Sequence, residues 1–99
     1  MNLVRDVMHC KPGHVRPMVA KFKQIGTLFD KLGFKGTTRI LTDVAGERYW
    51  TVVFEREVDD IGGFAKMMER AMSDPQFQNV MKDYHELVES GRREIYTVE

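Results

Sequence analysis

The sequence predicts an α+β fold in the order β-α-β-β-α-β, built as a single domain over residues 1–99. Three observations predict it. Apolar residues recur at steps of three and four in two separated stretches, the signature of amphipathic helices. Four short runs rich in β-branched and aromatic residues flank those stretches. Gly, Pro and Asp fall at the junctions, where turns and caps need them. The 42% hydrophobic content is enough for a globular core.

Residues 3–10 form the first strand. Leu3, Arg5, Val7 and His9 share one face, and Val4, Asp6, Met8 and Cys10 share the other. Lys11-Pro12-Gly13 breaks it. Val15, Met18, Val19, Phe22, Ile25, Phe29 and Leu32 then mark a helix, with Pro17 tolerated in its first turn and Gly33 suited to its C-terminal cap. Residues 37–44 and 48–57 are strands, with Ala45-Gly46-Glu47 as a short hairpin turn. On the third strand, Trp50, Val52 and Phe54 face one way. Tyr49, Thr51, Val53 and Glu55 form the wetter face.

Asp59 or Asp60 caps a second helix whose buried stripe is Ile61, Phe64, Ala65, Met68, Ala71 and Met72, with Met67 beside it. Gly62-Gly63 weakens its first turn. Ser73-Asp74-Pro75 ends that helix and starts another, with Asp74 as cap and Pro75 as first helical residue. Phe77, Val80, Met81, Tyr84, Leu87 and Val88 line its apolar face, and Ser90-Gly91 ends it. Residues 92–98 are the fourth strand.

Two β-α-β halves joined by a central hairpin make the ferredoxin-like split fold, a four-stranded antiparallel sheet. Right-handed crossovers put the helices on one face of it. The strands carry apolar residues on both sides, so the bare face calls for a cover. The simplest one is the same face of a second copy, giving an isologous homodimer.

Charge and cysteine content narrow the function. Fifteen basic and fifteen acidic residues cancel. That balance argues against a nucleic-acid partner and against a polybasic membrane surface. No apolar run approaches the roughly 20 residues that span a bilayer, and the charges close behind Met1 leave no expectation of a secretory leader. Cys10 is the only cysteine, so no intrachain disulfide forms, and a reducing, cytoplasmic setting is expected.

Four segments carry a family resemblance: strand one running into Lys11-Pro12-Gly13, the Trp50–Glu57 strand running into an acidic cap, Ser73-Asp74-Pro75-Gln76-Phe77, and the closing Arg93-Glu94-Ile95-Tyr96. Over nearly the whole chain the sequence resembles the dimeric α/β-barrel superfamily, and within it NIPSNAP-like and related small proteins. The resemblance implies a homodimer whose sheets close into a barrel. It also implies a pocket, inside that barrel or between sheet and helices. Superfamily members include cofactor-free oxygenases, haem-degrading monooxygenases, isomerases and proteins with no known activity. The haem-degrading branch matches poorly. Asn2 sits at the very start of the first strand, Arg70 stands where a Trp is expected, and Val80 falls about where the ligand His would be, with His85 more than a turn later.

His9 and His85 are the candidate catalytic residues, since histidine alone titrates near neutrality without perturbation. His85 also reads as a half-exposed residue at a helix edge. Tyr49, Trp50, Arg39 and Tyr84 are candidate substrate-binding residues. Arg5, His9, Arg39, Tyr49 and Glu55 either converge in a barrel interior or form ion pairs at a dimer seam. His9, Cys10 and His14 cluster near the first turn, but His9 and Cys10 point to opposite faces, so no metal site is expected. No cofactor is implied. Seven methionines suit a pocket that adapts to its contents, or a loosely specified core. The sequence therefore reads as a homodimeric small-molecule-binding protein, with a cofactor-independent oxygenase or isomerase of an apolar or aromatic compound as its enzymatic form. The alternative is a non-catalytic dimerisation or interaction module. An internal void separates the two.

Overall fold

The computed structural model describes residues 1–99. The elements are β1 (Asn2–Cys10), α1 (Val15–Lys31), β2 (Thr38–Thr42), β3 (Thr51–Val58), α2 (Ile61–Met72), α3 (Pro75–Met81), a 3₁₀ turn (Tyr84–Glu86) and β4 (Val88–Thr97). The strands pair antiparallel in the order β2-β3-β1-β4, the ferredoxin-like topology the sequence predicts. No helix is long and apolar enough to cross a membrane.

Pairing register assigns every strand residue to a face. Asp6 lies opposite Phe54 on one side and Arg93 on the other, and Val4 lies between Arg56 and Ile95. These residues, with Met8, Cys10 and Val52, belong to the helix side. Against them α1 buries Met18, Val19, Phe22, Ile25, Leu28 and Phe29. Burial of each such large side chain contributes about 1.5–3 kcal/mol. The Phe22 and Phe54 rings lie 4.8 Å apart, and Phe29 stacks on Phe77 at 6.3 Å, tying α1 to the sheet and to α3.

The helix ends follow local chemistry. Asp60 accepts a hydrogen bond from the Gly63 amide at 2.7 Å, and Asp74 accepts from the amides of Gln76 and Phe77. Gly33, at φ 78°, turns the chain out of α1. Gly36 packs closer still: with φ 100°, a Cβ there would stand 2.7 Å from the Glu57 carbonyl oxygen.

Four expectations need correction. The β2–β3 connection is no tight hairpin. The ladder stops at the Thr42–Val52 pair, because Asp43 turns its side chain to accept from the Thr51 amide at 2.8 Å. Trp50 therefore lies outside β3, with φ 62°. The last helix stops at Met81, and Val88 to Gly91 belong to β4. Pairing with β1 claims them, with a bulge opposite His9 and Cys10. The α2 stripe is narrower than its periodicity suggests. Phe64 and Ala71 are buried, whereas Ile61, Ala65 and Met72 are exposed. Finally, the bare sheet face is not simply greasy. Val7 and Val53 are already buried there, within a lattice of charged side chains.

Phe54 sits where α1 and the sheet meet. Phe54→Ala is expected to cost about 3–5 kcal/mol, read as a fall in the urea midpoint. A loss below about 1 kcal/mol would contradict this packing.

Candidate functional site

A cavity of about 390 Å³ lies between the sheet and the helices. Thirteen of its sixteen lining residues are hydrophobic, including Met8 from β1, Met67, Met68 and Met72 from α2, and Met81 from α3. It exists because α2 offers only Phe64 and Ala71 as fully buried residues, and the long, unbranched methionines pack without filling the space evenly. Tyr84 closes one part of the wall.

The three remaining lining residues are charged, and all stand on the sheet: Asp6, Arg56 and Arg93. Arg93 donates from Nε at 2.7 Å and from Nη2 at 3.3 Å to the two Asp6 carboxylate oxygens. Its guanidinium also covers the Phe64 ring at 5.1 Å. Arg56 is 3% exposed. It donates to Thr38 Oγ1 at 2.7 Å and to the carbonyls of Phe34 and Lys35 at 2.9 and 2.6 Å. Burial lowers its pKa from the ordinary value, and the charge of Asp30 acts in the opposite direction. An apolar chamber with a few charged groups on one wall can desolvate and orient a small ligand. A shallower groove of about 420 Å³ shares Phe64 and Met67 with it. Lys35, Glu57, Asp60, Lys66 and Arg70 make that groove polar.

The residues singled out in the sequence are not gathered in one place. Tyr84 alone lines the cavity. Trp50 is 44% exposed and Tyr49 83%, and both border a shallow depression with Gly13, Val15, Arg16 and Asp43. His85 is exposed, edge-on to Tyr84 with ring centroids 6.0 Å apart. His9 and Arg39 belong to the opposite sheet face. No motif in the sequence singles out the cavity's charged residues. Their signal is alternation: Asp6 falls in phase with Val4, Met8 and Cys10, and Arg56 with Val52 and Phe54. No three His, Cys, Asp or Glu side chains lie together as a metal centre requires.

The opposite face is a chain of ion pairs. Glu55, 4% exposed, takes Arg5 Nε at 3.2 Å and also pairs with Arg39. Arg5 continues to Glu94 at 3.4 Å, and Glu94 accepts from Arg92 Nε at 2.7 Å and from the Tyr96 hydroxyl at 3.1 Å. The Arg92 hydrogen bond, then those of Tyr96 and the charge of Arg5, hold the Glu94 carboxyl below its ordinary pKa. Tyr49, expected among these residues, lies outside them.

His9 ends this chain. Arg92 Nη1 lies 3.0 Å from His9 Nε2, and Thr51 Oγ1 lies 3.2 Å from Nδ1. An arginine only donates, so Nε2 accepts and Nδ1 carries the proton. Thr51 passes the chain on, donating to the Arg48 carbonyl at 3.0 Å. Burial first, then the charges of Arg48 and Arg92, lower the His9 pKa, against smaller opposing effects of Glu47 and Glu89. Across the sheet, burial raises the pKa of the Cys10 thiol.

The unfolded chain takes up a proton at His9 near pH 6.5, while the folded chain resists it, so stability falls as pH drops below about 6.5. His9→Gln is expected to flatten the melting temperature between pH 7 and pH 5 relative to the parent protein. An unchanged slope would show that His9 is not the acid-sensitive group.

No family model matches this chain, and no curated protein does. Solved structures do. One is an uncharacterized NIPSNAP domain protein from Burkholderia xenovorans, with 20% identity, a TM-score of 0.83, and coverage of 100% of this chain and 95% of that one. A NIPSNAP family protein from Agrobacterium tumefaciens matches at 13% identity and TM-score 0.82, covering 99% of this chain and 92% of its own. A candidate antibiotic biosynthesis monooxygenase from Deinococcus radiodurans matches at 12% identity and TM-score 0.70, covering 100% and 93%. Identities this low speak to architecture alone. The chain has the ferredoxin-like α+β fold found in NIPSNAP-domain proteins.

Proposed function

We propose that the protein binds a small apolar or aromatic molecule in the cavity between sheet and helices, and that it works as a homodimer in the cytoplasm. The cavity carries this reading. A domain serving only as a dimerisation module has no need of a 390 Å³ pocket lined mostly by hydrophobic residues between its sheet and helices. Its mixture of methionines and a charged sheet wall suits desolvation and orientation of a ligand. A cofactor-independent oxygenase or isomerase is the catalytic form of this reading, and the monooxygenase description of the Deinococcus radiodurans structure is in keeping with it. In that form Asp6, held by Arg93 at the cavity wall, is the carboxylate available to accept a proton from a bound substrate.

Dimerisation rests on the other sheet face. Positive Arg5, Arg39 and Arg92 alternate there with negative Glu55 and Glu94, so a two-fold copy can meet opposite charges. Leu41 and Tyr96 remain exposed among them, at 38% and 49%. The single buried Cys10 thiol suits a reducing compartment.

Native mass spectrometry of freshly purified protein is expected to give a dimer mass with an organic molecule retained. A bare monomer would contradict both parts of the proposal. Leu41→Asp puts a charge on an exposed part of the dimer face. It is expected to sediment as a folded monomer, and an unchanged dimer would remove this face as the interface.

A further inference from the structure

The cavity wall carries an unbalanced charge. Arg56 and Arg93 give two positive charges and Asp6 one negative, which leaves +1 among residues otherwise hydrophobic. Arg93 is balanced by Asp6 through two hydrogen bonds. Arg56 has no carboxylate within ion-pair distance, and the charge of Asp30 acts on it only from farther away. It is 3% exposed, its hydrogen-bond partners are one hydroxyl and two carbonyls, and its buried Nε has no partner. None of the protein's ion pairs includes it. The Phe29 ring beneath it, 5.4 Å from the guanidinium carbon, offers only a weak substitute for a counter-charge. A buried cation without a directly paired counter-ion is expensive unless the site meets its anion when occupied.

Building on the cavity reading above, we infer that the ligand is an apolar monoanion, such as an aryl or short-chain carboxylate, whose acid group meets the Arg56 side of the cavity wall. The methionines of α2 and α3 receive its apolar body. One negative charge brings the lining to neutrality, and a second would overshoot it. Three of the five Arg56 N–H donors are taken by Thr38, Phe34 and Lys35, which leaves the Nε–H and one Nη1 hydrogen for a carboxylate. The chamber's volume limits the ligand to a small compound, near the low end of the 300–1,000 Å³ common for ligand pockets.

Calorimetric titration of the intact protein with 1-naphthoate and with its neutral counterpart 1-naphthamide tests this. The naphthoate is expected to bind at least tenfold tighter, and Arg56→Met is expected to bring the two affinities together without weakening naphthamide. If Arg56→Met does not fold, Met68→Trp serves instead. By filling the chamber it is expected to abolish binding of both compounds. Equal binding of the two probes to the parent protein overturns the anion preference and leaves the cavity reading standing. Failure of both to bind counts against both. Naphthoate bound undiminished by Met68→Trp places the anion elsewhere and overturns the inference.

Discussion

The strand order β2-β3-β1-β4, with the right-handed crossovers that such connections favour, places every helix on one side of a four-stranded sheet. Each strand must then serve two environments with alternate residues. On β1, Val4, Met8 and Cys10 go to the helices, while Leu3, Arg5, Val7 and His9 go to the other side. A slip of one residue in register would exchange the two sets and drive Arg5 and His9 into the core. The separation of an apolar chamber from a charged face is thus a consequence of strand register.

Against that background, Asp6, Arg56 and Arg93 are the residues that break the pattern. They sit on the helix side, where the alternation calls for apolar groups. Asp6 and Arg93 partly neutralise each other. Arg56 is tied to the α1–β2 connection through the carbonyls of Phe34 and Lys35. It therefore has a structural task as well as a place on the cavity wall, since it fixes the chain leaving α1 against β3. The His9, Arg92 and Glu94 chain on the other side is of a different kind. There the charges are paired among themselves and give a surface its pattern.

Much of the fold was legible in the sequence, because α1, β1 and the two Asp caps depend on local rules. Met18, Phe22, Ile25 and Phe29 keep helical spacing, and Asp60 and Asp74 stand directly before their helices. The failures lie where a distant partner overrides a local pattern. Tyr84, Leu87 and Val88 continue the spacing of α3, yet Val88 pairs with Cys10 and pulls the chain into β4. Tyr84, in a 3₁₀ turn, and Leu87, just after it, still pack on the core, so the spacing reports burial correctly and hydrogen bonding wrongly. The aromatic character of Trp50 points to a strand, but the Asp43 side chain ends the ladder before it. The cavity was legible only in outline. Methionine content hinted at it, while the pairing of Asp6 with Arg93 depends on register across residues 87 apart in the chain.

The account stands on the chamber between sheet and helices being the place where a ligand resides. Methyl NMR of the seven methionines tests that directly, because five of them line the chamber while Met1 and Met18 do not. Titration with 1-naphthoate should move the methyl signals of Met8, Met67, Met68, Met72 and Met81 and leave those of Met1 and Met18 in place. Shifts confined to Met1, or no shifts at saturating probe, would contradict the account.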